Sequence, residues 1–275
     1  MDLGLRDRVY LVTGGSRGLG FAAAQVLVAD GARVVLSAPH QATAAAAAAR
    51  LMESAAAAGA GAEERVDWVV ADNADPYTPA RLIAAAREHF DRLDGAVISV
   101  GGSPSGTIAT TGDDAWRAAF ESVFLGALRL ARVLASDIAS ESDGGDGRAL
   151  NGEGASIVFV LASSVRVPLA ELAISNGLFP GLAGVVKTMA GELGPAGIRV
   201  NGVLPVRIAT DRVRELDAQH GDPDKVRARL SERIPLRRYG EPEEFGRVAA
   251  FLLSPAASYI TGAMIPVDGG AISSI

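Results

Sequence analysis

Short apolar runs rich in β-branched residues recur along the chain and alternate with longer stretches of helical periodicity. The runs are Val9–Thr13, Arg33–Ser37, Val66–Ala71, Gly95–Val100, Ser156–Leu161, Arg199–Leu204 and a short Met264–Val267. Between them lie helical patterns at Gly18–Asp30, Pro79–Phe90, Asp114–Ala139, Gly181–Leu193 and Pro242–Leu253. Buried strands separated by helices predict an α/β protein: a doubly wound, mostly parallel seven-stranded sheet in a single domain spanning residues 1–275. Ala42–Ala58 is nearly all alanine, the best helix former, and reads as a surface helix. Ser140–Gly154 is dominated by glycine, serine, aspartate and asparagine, and the sheet pattern resumes directly after it; it reads as a flexible surface loop.

Composition narrows the classes of function. With 49% hydrophobic and 21% charged residues the chain has the makings of an ordered globule. A net charge of -6 favours neither nucleic acid nor an anionic membrane as partner. The absence of cysteine removes disulfides, thiolate metal sites and a cysteine nucleophile, and no other metal-ligand cluster is visible. No basic leader opens the sequence and no apolar run reaches about 18 residues, so a soluble, cytoplasmic protein is expected.

The first candidate chemistry is Thr13-Gly14-Gly15-Ser16-Arg17-Gly18-Leu19-Gly20, which follows a predicted strand and opens a predicted helix. Glycines there let the backbone turn sharply and approach a pyrophosphate, whose charge would sit at the helix N-terminus. Strand, loop, helix and a second strand ending near Ser37 together point to a dinucleotide cradle. At the end of that second strand, Ser37-Ala38-Pro39-His40 contains no acid to accept the ribose 2′-OH of NAD. Arg17 is placed either to meet the 2′-phosphate of NADP or to remain a solvated loop arginine. NADP is therefore preferred, with NAD the alternative.

The spacing of Gly14, Gly18 and Gly20 resembles the TGxxxGxG loop of the short-chain dehydrogenase/reductase family, and the resemblance runs almost end to end. It implies a Rossmann-type fold. Asp72 follows the third strand, where the family places an aspartate near the adenine, and Ser99-Val100-Gly101-Gly102 occupies its NNAG stretch. Glu192 to Asn201 is similar to its ELxPxGIRVN segment. The loop from Pro205 through Ile208 to Thr210 resembles its PGxxxT cover over the nicotinamide. Arg238-Tyr239-Gly240-Glu241-Pro242 and Val267-Asp268-Gly269-Gly270 resemble its C-terminal signatures. The cofactor-contacting set implied is Gly14, Ser16, Arg17, Gly18, Leu19, Gly20, Asp72, Gly101, Pro205, Ile208 and Thr210.

In that family a tyrosine and a lysine four residues apart, a serine and an asparagine carry the proton chemistry. Counting back from Asn201 puts Ser175 in the tyrosine slot and Phe179 in the lysine slot. Val123 stands in the asparagine slot, and the serine survives as Ser163 or, preferably, Ser164. Pro180 is tolerated only in a first helical turn. The residues themselves therefore read Ser175-Asn176 as the cap of a helix starting near Leu178, with rebuilt backbone around the slot. Ser164, Ser175 and Arg166 are the catalytic candidates; Arg207 and Glu171 lie on neighbouring loops.

Three functions follow. The first is an atypical oxidoreductase that moves hydride to or from a small activated alkene, imine or carbonyl. The second is an inactive cofactor-binding subunit beside an active relative. The third is redox-neutral use of the old pocket, disfavoured because the glycine loop is intact. The long helices and C-terminal signatures imply a homo-oligomer, dimer or tetramer, or a hetero-oligomer with an active relative.

Overall fold

The computed structural model of the chain describes residues 2–59, 65–142 and 154–274. Its seven strands are β1 (Val9–Val12), β2 (Arg33–Ala38), β3 (Val66–Val70), β4 (Gly95–Ser99), β5 (Ala155–Val160), β6 (Ile198–Pro205) and β7 (Met264–Val267). They form one sheet in the order β3-β2-β1-β4-β5-β6-β7, and every neighbouring pair is parallel. Parallel strands need helical crossovers, so both faces are covered and the inner strands are predominantly apolar. β1 shows how: Val9 and Leu11 belong to the core on one face, and Tyr10 and Val12 to the core on the other.

The helices are α1 (Gly18–Ala29), α2 (Gln41–Ala57), α3 (Thr78–Phe90), α4 (Asp113–Ala119), α5 (Gly126–Ser142), α6 (Ala173–Leu193), α7 (Asp211–Ala218), α8 (Pro223–Ser231) and α9 (Pro242–Leu253). The alanine-rich stretch is helical but not merely superficial, since Ala44, Ala47, Ala48, Leu51 and Ala55 bury one stripe. The predicted helix Asp114–Ala139 is interrupted by one π-helical segment, Phe120–Leu125. There the chain passes the loop after β3 so closely that a Cβ on Gly126 would lie 2.3 Å from the Asn73 carbonyl. α7 and α8 are charged and short, which hid them from a search for apolar periodicity. Of the predicted loop Ser140–Gly154, positions 140–142 complete α5 and 143–153 lie outside the described residues.

One expectation is overturned. α6 does not start near Leu178 with Ser175 or Asn176 as its cap; it starts at Ala173 and runs unbroken through Pro180. Proline removes one backbone donor and crowds the carbonyl four residues back. Burial of Ile174, Leu178, Phe179, Leu182 and Val186 in the core outweighs that cost. Tertiary packing has overridden a local preference.

Strand order reverses between β1 and β4, both of which lead out from the middle of the sheet. A crevice opens at the carboxyl ends of the strands at such a reversal, and ligands of doubly wound sheets bind there.

Candidate active site

The glycine loop stands over this crevice and is tied down on both sides. Thr13 Oγ1 donates to the Ser99 carbonyl at 2.9 Å and accepts from the Ser99 N–H at 2.9 Å, stapling β1 to β4. Gly15 N–H donates to the Ser37 carbonyl at 3.0 Å, holding the loop to β2. Gly14 and Gly18 have φ of 57° and 59°, a region costly for residues with a Cβ. A Cβ on Gly20 would lie 2.5 Å from the Gly14 carbonyl, so this glycine lets α1 seat on the strand end. A Cβ on Gly18 would meet only Thr210 Cγ2, at 3.9 Å, and otherwise open space. No side chain caps α1, and its first turn carries no acid. Its first N–H groups therefore have no side-chain partner at the cap.

Ser16 and Leu19 are half-buried. Thr210 caps α7, accepting from Val213 N–H at 3.4 Å, and Ile208 is buried and bridges to Gly240. Pro205 ends β6 beside Val267. Gly101, with φ of 77°, has open space where a Cβ would stand. Asp72 is exposed and its carboxylate accepts the Ala74 N–H at 2.9 Å. Arg17 is exposed and lies 3.6 Å from Glu215 of α7. A pair this open to water contributes little and leaves the guanidinium available.

Deeper in the crevice, the turn after β5 and the first turn of α6 bring Ser164 and Ser175 together. Their hydroxyls are 3.3 Å apart, and Ser164 Oγ also donates to the Ser175 carbonyl at 3.2 Å. Both residues are buried, at 4% and 6% exposure. Phe179, one turn on, is buried in the core, as is Val123 in the π segment. Ser163 is buried and hydrogen-bonds through its backbone carbonyl. Arg166 is exposed and bonds to neither serine.

The four tyrosines and two lysines of the chain lie elsewhere. Tyr10 donates to the Leu253 carbonyl, Tyr239 donates to Asp217, and Tyr77 and Tyr259 are exposed. Lys187 donates to the Gly262 carbonyl, and Lys225 lies on α8. Among the described residues no group of three or more metal-ligating side chains occurs.

Three contacts with no signature in the sequence tie the neighbouring loops together. Asn176 donates to the Leu169 carbonyl and accepts its N–H, both at 2.8 Å, clamping the loop that overhangs the serines. Arg212 of α7 donates to the Ser103 carbonyl at 3.0 Å, and Gly106 N–H donates to the Glu171 carbonyl at 2.7 Å. Arg207, φ 51°, turns its guanidinium onto Asp217 at 2.6 Å. Asp217 is 2% exposed and also accepts from the Tyr239 hydroxyl at 2.9 Å. Such partnerships join residues with no fixed spacing, so no pattern announces them.

Residues 14–271 match a family model described as enoyl-(acyl carrier protein) reductase. The chain belongs to the short-chain dehydrogenase/reductase family. It is 34% identical to an L-rhamnose 1-dehydrogenase (NAD(P)(+)) of Azotobacter vinelandii, across 97% of each chain. Among solved structures it resembles the L-sorbose reductase of Gluconobacter frateurii, crystallised with NADPH and L-sorbose. That likeness has a TM-score of 0.87 and 29% identity over all of both chains. It also resembles a short-chain oxidoreductase from Pseudomonas aeruginosa PAO1 described as containing an atypical catalytic center. Here the TM-score is 0.86 and the identity 27%, over 99% of this chain and 100% of that one.

Proposed function

We propose that the protein is a nicotinamide-dependent oxidoreductase whose active site departs from the family pattern, with Ser164 and Ser175 where a serine and a tyrosine are usual. The observation that carries this reading is the pairing of an open cradle at Gly18 with a buried corner whose polar side chains are two hydroxyls. The pyrophosphate would rest on the N-terminus of α1 and the loop Gly14–Gly20, under Thr210, and the adenine would lie toward Asp72. NADP is preferred over NAD because β2 ends in Ser37 and Ala38 without a carboxylate while Arg17 is open to solvent. The cofactor supplies or accepts hydride; the chain holds the reactants in contact and excludes water.

The substrate is a small molecule carrying an activated alkene, imine or carbonyl. Serine is a far weaker acid than tyrosine, and Phe179 offers no cation to assist it. Loss of a matched general acid typically lowers rates about 10²–10⁴-fold, so a simple ketone suits the site poorly. The likeness to a relative with an atypical catalytic center supports an enzyme over an inert subunit. Titration of the purified chain with NADPH and NADH, followed by a panel of acceptors, tests this. Binding followed by turnover is the expected result. Binding with turnover only after a second family member is added would make this chain the supporting subunit instead.

A further inference from the structure

The corner formed by Ser164 and Ser175 holds two neutral hydroxyls, each with more than nine-tenths of its residue buried. Their side-chain bonds are to one another and to the Ser175 carbonyl. The titratable groups on the surrounding elements are occupied elsewhere or exposed. Glu171 and His220 face each other at the rim, 3.9 Å apart and half-exposed. Arg212 is on the Ser103 carbonyl, Arg207 and Tyr239 are on Asp217, and Lys187 is on Gly262. Arg166 points to solvent. No acid, base or cation among the described residues hydrogen-bonds to either serine.

Resting on the cofactor reading above, we propose that the acceptor reduced in this corner is a preformed iminium cation. A hydride with its two electrons leaves the reduced nicotinamide and forms a C–H bond at the iminium carbon. The π pair of the C=N bond becomes the nitrogen lone pair. The substrate leaves as a neutral amine and the cofactor as its oxidised cation, so positive charge passes from one ring to the other and no proton moves. A ketone in the same place becomes an alkoxide and needs a proton at oxygen; a conjugated alkene becomes an enolate and needs one at carbon. The iminium is the acceptor whose reduction creates no new charge, and two fixed hydroxyl dipoles in a buried site serve a shift of charge without a proton donor. Their lone pairs are free to face the cation, and a net charge of -6 favours its approach.

The test uses the purified chain with NADPH, three N-methylated cyclic iminium salts of different ring size, and ketones of the same carbon skeletons. After subtraction of the uncatalysed reaction, at least one salt should turn over about 100-fold or more faster than its matched ketone, by the weight of a missing general acid. The rate should be the same in H2O and D2O. Comparable ketone turnover, or an isotope effect of about twofold or more on the salt that survives correction for cofactor release, overturns the inference. Binding of NADPH with no turnover of any salt overturns it too, while leaving the cofactor reading standing. Failure to bind either NADPH or NADH removes that reading instead.

Discussion

Gly18 carries two demands in one residue. Its φ of 59° belongs to the left-handed region, and a side chain there would enter the open space where the proposed reading puts the pyrophosphate. Asparagine tolerates that backbone and fills that space, so Gly18→Asn separates the two. Its melting temperature should stay near that of the parent chain while NADPH affinity falls at least about 10-fold, the weight of one good polar contact. Calorimetric titration beside a thermal scan reads both. Phe179 poses the opposite test. Installing Ser175→Tyr with Phe179→Lys would recreate the usual pair on one helix face, because α6 is continuous there. However, Phe179 is 5% exposed, and replacing it by a cation forfeits about 3 kcal/mol or more of burial and desolvates a charge. The double variant should unfold at clearly lower urea and reduce no ketone; a stable variant with ketone turnover would contradict this. Residue counting alone brought Ser164 and Ser175 to the same corner. Asn176 was misread as a cap because Pro180 argued for a late helix start, whereas the asparagine instead clamps Leu169.

Elements were legible wherever burial imposes a period. All seven strands were readable because both faces of the parallel sheet are covered, α3 and α9 because each shows one apolar stripe, and α1 because it is apolar nearly all round and opens on the glycine loop. The π segment at Phe120–Leu125 was not readable: it follows from the close pass of Gly126 by Asn73, a contact distant in sequence. Nor was the lock in which Arg207, Asp217 and Tyr239 join the loop after β6, α7 and the turn before α9. Burial, reinforced by the hydrogen bond to Asp217, pushes the Tyr239 hydroxyl up from 10.0 to about 12. A raised value means the neutral phenol is favoured in the folded chain. The associated stability is complete below pH 10.0 and is lost as pH climbs toward about 12. Tyr239→Phe should cost about 1 kcal/mol at neutral pH and abolish much of the alkaline loss in that window. Urea midpoints measured across the range check both, and an alkaline limb unchanged in the variant would exclude Tyr239 as its source.

Across the whole molecule, the family-like signatures at the C-terminal end of the chain act as fasteners. Arg199 donates to the carbonyls of Leu252, Leu253, Ser254 and Ile260, satisfying the end of α9 against β6. Asn201 donates to the Ile260 carbonyl and accepts the Ala263 N–H, and Asp268 accepts from Gly270 and Ile272. Arg238 grips Glu244, which in turn receives the Glu241 N–H at the start of α9. These residues hold α9, β6, β7 and the turns between them together at the edge of the sheet. The sheet and the helices that cover it were readable, while α7, α8, the π segment and the true start of α6 were not. Which side chains meet at Ser164 and Ser175 depends on three-dimensional neighbours that no spacing encodes. A crystal structure of the protein grown with NADPH tests the account most directly. It predicts phosphates against the N–H groups of Gly18 and Leu19, and a nicotinamide ring beside the Ser164 and Ser175 hydroxyls with no phenol or ammonium in reach. A tyrosine or lysine delivered into that corner by a neighbouring subunit, or a cofactor bound away from the glycine loop, would contradict it.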